Sequence, residues 1–124
     1  MKKLLTLLVL CAASLTLNTV YAHGTAKPEH GGVVRVVGET VFELLVLADG
    51  VELYLSEEGE ALASDGMTGK LTITIDGAKS EASLTPAGGN KLVAKGAKIA
   101  SGAKVAVMVI RQDQSKLGAT FSIK

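Results

Sequence analysis

Two histidines, His23 and His30, are the only imidazoles in the chain, and seven positions separate them. A cut after Ala22 would make His23 the first residue. Its free amine and imidazole Nδ1 can then close a six-membered chelate on one ion, and His30 supplies a third nitrogen. Three nitrogens suit square-planar Cu(II), which heads the affinity order for divalent ions. Zn(II) takes the same donors with a carboxylate added, and Glu29 is the nearest. Gly24, Pro28 and Gly31-Gly32 make the intervening segment read as a flexible tail, so binding must bear the entropy of ordering it. Sulfur donors favour Cu(I), and Met67 in the turn Asp65-Gly66-Met67-Thr68-Gly69 stands where a turn can expose it, although a lone methionine more often fills a gap in the core. Met108 lies mid-strand and is expected in the core.

Catalytic patterns are missing from the sequence. It contains no Gly-x-Ser-x-Gly elbow, no His-Glu-x-x-His, no phosphate-binding glycine loop and no dinucleotide fingerprint. Glu57, Glu58, Glu60 and Asp65 do not follow the spacing of a calcium loop. They read as a solvated charged loop that keeps a sheet edge soluble. No enzyme and no organic cofactor are expected.

The cut itself is predicted by the first 22 residues. Lys2 and Lys3 precede a nearly unbroken apolar run from Leu4 to Leu17, and Val20 and Ala22 stand where signal peptidase reads. The run is shorter than the roughly 20 residues a transmembrane helix needs. Leu8-Val9-Leu10-Cys11 resembles a lipid box, but bulky Leu10 stands where a small residue is wanted. The expectation is a cleaved signal peptide (1–22), export to the periplasm and no membrane insertion afterwards.

Cleavage leaves 102 residues, enough for one domain. The single cysteine, Cys11, departs with the signal, which removes disulfides and thiolate ligands from the remainder. Eleven basic and 12 acidic residues remain, a net charge of −1. Taken as spread along the chain, that balance argues against nucleic acid or an anionic membrane as partner.

The elements that must position these groups are strands. Short β-favouring runs alternate with turn residues every eight to twelve positions from Val33 onward. Lys70–Ile75 shows the clearest period of two, with Leu71, Ile73 and Ile75 on one face and Thr72 and Thr74 on the other. In Val51–Ser56, Leu53 and Leu55 oppose Glu52 and Tyr54; in Thr40–Leu47, Phe42, Leu44 and Val46 share a face. Lys104–Arg111 is apolar on both faces and predicts a central, well-covered strand. Asp49-Gly50, Asp65-Gly66 and Asp76-Gly77 are hairpin signals. No helix longer than a turn is expected. The sum is an all-β fold, an antiparallel sandwich or barrel of seven to eight strands with an immunoglobulin- or cupredoxin-like layout. It occupies residues 33–124, behind a flexible His-containing tail (23–32).

His23-Gly24, Pro28-Glu29-His30-Gly31-Gly32, Phe42-Glu43-Leu44 and Val51-Glu52-Leu53-Tyr54-Leu55 carry part of a resemblance. Gly66-Met67-Thr68-Gly69-Lys70-Leu71, Pro86-Ala87-Gly88-Gly89-Asn90 and Gly102-Ala103-Lys104-Val105 carry the rest. Together they resemble a group of small proteobacterial periplasmic proteins encoded beside heavy-metal efflux systems. The resemblance implies periplasmic handling of copper, zinc or a similar ion in heavy-metal resistance, with an efflux component as partner and His23 and His30 as ligands. A looser similarity is to the small periplasmic copper-binding β-barrels of copper-resistance systems, which also begin at a histidine exposed by cleavage. Those carry further histidines in the body of the domain, and this chain does not.

Overall fold

Thr68–Ile75 shows in miniature how this chain folds: Leu71 and Ile73 are buried while Thr68 and Lys70 are exposed, the alternation of a strand with one face on a core. The computed structural model describes residues 26–124. The expected signal peptide and His23 lie outside the described residues. Nine strands follow in order: β1 (Val33–Val37), β2 (Thr40–Leu47), β3 (Gly50–Glu57), β4 (Glu60–Ala61), β5 (Thr68–Ile75), β6 (Ala78–Pro86), β7 (Lys91–Lys95), β8 (Lys104–Ile110) and β9 (Lys116–Ser122). Among the described residues there is no helix, and so none long and apolar enough to cross a membrane.

Every pairing is antiparallel, in the order β1-β2-β3-β7-β6-β5-β8-β9, with β4 added beside β3. The eight strands form a nearly closed barrel, its first and last strands approaching each other across a seam. β6 belongs to both halves. It pairs with β5 from Ala78 to Leu84, then passes to β7 at Thr85 and Pro86.

Turn chemistry fixes the registers. Asp76 and Gly77 take φ of 50° and 83° between the paired residues Ile75 and Ala78, the left-handed pair a two-residue type I′ hairpin requires. Glu58-Gly59 makes the same turn between Glu57 and Glu60, with φ of 49° and 84°. Asp65-Gly66 departs from its hairpin signal and sits in the irregular connection between β4 and β5, because the chain there crosses to a non-neighbouring strand.

The core is aliphatic with Phe42 and Phe121 fully enclosed, beside Leu44, Leu53, Leu55, Leu71, Leu84, Leu92, Val105 and Val109. Each such side chain contributes about 1.5–3 kcal/mol by leaving water. β8 corrects the expectation of a covered strand. Val105, Val107 and Val109 are buried, but Ala106 and Met108 face solvent and Met108 is 43% exposed, since none of the described residues overlies that side of the sheet.

Charge is sorted along the chain, which overturns the picture of an even spread. Residues 26–67 carry nine acidic and two basic side chains, whereas residues 68–124 carry three acidic and nine basic. The first group builds β1–β4 and the second β5–β9.

Candidate functional site

Glu43 faces outward by alternation, between inward-facing Phe42 and Leu44, yet is only 5% exposed. An unpaired buried carboxylate is costly, so its partners define the site. Its Oε1 accepts hydrogen bonds from the Glu29 amide (3.0 Å) and His30 Nδ1 (2.9 Å). Its Oε2 accepts the amides of His30 (2.8 Å) and Gly32 (2.8 Å). Burial pushes the Glu43 carboxyl upward, but the His30 ring and the Gly32, His30 and Glu29 amides outweigh it, and the net displacement is below the ordinary carboxylate range.

Residues 29–32 are therefore not a free tail. One carboxylate ties them to the barrel wall. Gly32 permits the approach: a Cβ there would fall 2.5 Å from the Leu44 carbonyl oxygen, so no other residue fits without moving backbone.

The same contacts orient His30. An ionised carboxylate only accepts hydrogen bonds, so Nδ1 must carry the proton and Nε2 holds the free lone pair. The ring lies flat on Tyr54, centroids 3.6 Å apart and planes inclined by 8°. Tyr54 stands directly opposite Glu43 in the β2–β3 register, with Lys91 opposite Tyr54 on β7. Its hydroxyl donates to Glu52 Oε1 at 3.1 Å, and burial together with that carboxylate raises the phenol pKa. Lys91 Nζ lies 3.6 Å from Glu52 Oε2 and 5.9 Å from the Tyr54 ring centroid. A carboxylate behind an imidazole, with the far nitrogen free, is the arrangement that positions histidine ligands in metal sites.

The ring edge opens on an outer groove of about 670 Å³, floored by Val34, Val36, Val41 and Tyr54. Glu29, Lys27, Glu39 and Glu58 line its margins. The neighbouring Glu58 carboxylate, together with the charge of Glu57, raises the Glu39 pKa.

Of the residues singled out in the sequence, the structure brings His30 and Glu29 together on this groove. Met67 is elsewhere and 5% exposed; it packs with the core beside a separate cavity of about 330 Å³ lined also by Asp65, Arg111 and Asp113. Its turn folds inward, so its thioether is not an exposed donor. Among the described residues no three His, Cys, Asp or Glu side chains converge as a metal-holding group. Glu43 escaped sequence reasoning, as did the stacking role of Tyr54. The available signal was a lone carboxylate inside Thr-Val-Phe-Glu-Leu-Leu-Val-Leu, a strand otherwise almost wholly apolar.

No family model matches the chain, and no curated protein or solved structure shows significant similarity to it.

Proposed function

We propose that this is a periplasmic metal-binding accessory protein that buffers or delivers Cu(II) or Zn(II) in heavy-metal resistance. The observation that carries the reading is the fixed His30 ring: its Nδ1 is committed to Glu43, its face to Tyr54, and its Nε2 is left for a ligand beside the groove. Cleavage after Ala22 adds the His23 amine and imidazole, seven residues away along the chain, and Glu29 adds an oxygen. Anchoring residues 29–32 beforehand also lowers the entropy lost when the first residues close on an ion. Such a protein donates its ion to an efflux component and performs no catalysis.

Calorimetry on protein that starts at His23 tests the reading. One Cu(II) is expected to bind, with affinity reduced tenfold or more by His23→Ala, by His30→Ala or by one extra N-terminal glycine. Unchanged affinity in the extended protein removes the chelate from the proposal.

A second reading, a metal-free module docking on an envelope complex, is favoured by one observation. Val33, Val36 and Val37 of β1 are all more than 40% exposed beside the barrel seam, where a partner strand can add to the edge.

A further inference from the structure

The outer face of β5, β6, β8 and β9 is almost without acidic groups. Register places Lys79, Thr74, Lys104 and Ser122 in one row across the four strands. The neighbouring row is Glu81, Thr72, Ala106 and Thr120, and the next is Ser83, Lys70, Met108 and Gly118. Lys116 closes the far end, opposite Ile110. All four lysines are exposed, and Glu81 is the single carboxylate on these rows, held 3.5 Å from Lys70. Among the described residues, Lys79, Lys104 and Lys116 have no ion-pair partner.

We infer that this face rests on an anionic lipid surface. The choice of occupant follows from the chemistry of the rows. Stable protein interfaces are depleted in lysine and anchored by aromatics and arginine in pockets, whereas these rows carry neither aromatic nor arginine. Nucleic-acid binding without sequence preference relies on aromatic stacking platforms, also lacking here. What remains is a diffuse cationic plane of flexible lysines with short hydroxyl side chains between them and exposed Met108 near its centre. A plane of phosphate headgroups complements that pattern, each lysine near the surface adding attraction that decays within a Debye length of about 8–10 Å. Glu43, Glu52 and Glu57 belong to β2 and β3 rather than to these rows, and ions screen their repulsion. The net charge of −1 for residues 23–124 therefore does not oppose adsorption. The inference stands whether or not the groove binds metal.

Sedimentation of the protein starting at His23 with vesicles tests it. Binding is expected to vesicles of phosphatidylcholine with one-third phosphatidylglycerol at about 50 mM salt, with none to pure phosphatidylcholine, and is expected to fall as salt rises. Each neutralised lysine should cost about fivefold in partitioning, so Lys79→Gln with Lys104→Gln should weaken it about 25-fold. Lys95→Gln with Lys98→Gln, the same charge change outside this face, should leave it nearly unchanged. Unaltered thermal melts verify that both pairs fold. Absence of binding to the anionic vesicles overturns the inference, as does equal loss in both pairs. Salt-sensitive self-association in ultracentrifugation without vesicle binding would overturn it too, assigning the face to a second copy.

Discussion

The two outer faces of this barrel are built from the same period-two strands and end up as opposites. Over β1–β3 the chain folds back on itself, and an outward glutamate becomes the acceptor of four hydrogen bonds under residues 29–32. Over β5, β6, β8 and β9 none of the described residues folds back, and outward lysines stay exposed. Strand alternation decides which way a side chain points. Whether an outward side chain is solvated is decided by what lies on top of it.

If the difference is confined to the outer faces, the inner ones should be equivalent. Phe42 and Phe121 are both fully enclosed, one beneath each face. Each changed to alanine should cost about 3–5 kcal/mol in chemical denaturation. A large inequality between them would break the comparison by placing it inside the core.

Glu43→Ala comes next in size. It strips the acceptor from three amides and one imidazole, and a loss of about 2–3 kcal/mol is expected. Amide exchange at Glu29, His30 and Gly32 should rise towards unprotected rates while β5–β9 stay protected. The pH dependence has a definite sign. Because the folded-state pKa of Glu43 lies below its unfolded value, its contribution is complete above the ordinary carboxylate pKa of about 4.3 and disappears as pH falls through the lower folded value. Glu43→Gln should flatten that acid limb, and an unchanged limb would show that residues 29–32 are not held by this carboxylate.

The smallest effect belongs to Tyr54→Phe. It removes one hydrogen bond to Glu52 and keeps the ring under His30, so stability should fall by about 1 kcal/mol or less. Nearly unchanged ring-current shifts of His30 in NMR would confirm that stacking survives without the hydroxyl.

Much of the barrel was legible because its signals are local. Alternation in Lys70–Ile75, the aspartate-glycine turn at 76–77 and the mixed faces of Val51–Ser56 depend on neighbours within a few residues. What was not legible depends on distant chain. Glu43 is thirteen residues from His30, and only the folded-back segment turns an outward polar position into a buried one. Met108 failed in the opposite direction: apolar residues on both faces of β8 suggested a cover, but no described segment supplies one. Asp65-Gly66 made a turn without a hairpin because the next strand, β5, lies three places from β3 in the sheet, beyond β7 and β6. The charge division between residues 26–67 and 68–124 was present in the sequence throughout, hidden by a total near zero.

One consequence of the hand-off along β6 concerns how the molecule comes apart. Since a single strand hydrogen-bonds to β5 over most of its length and to β7 at its end, neither half of the wall can melt while the other keeps all its ladders. Calorimetric and spectroscopic unfolding should coincide in one cooperative transition. Refolding should be slow for a chain of this size, because β3 must find β7 some forty residues later before the circle of strands is complete.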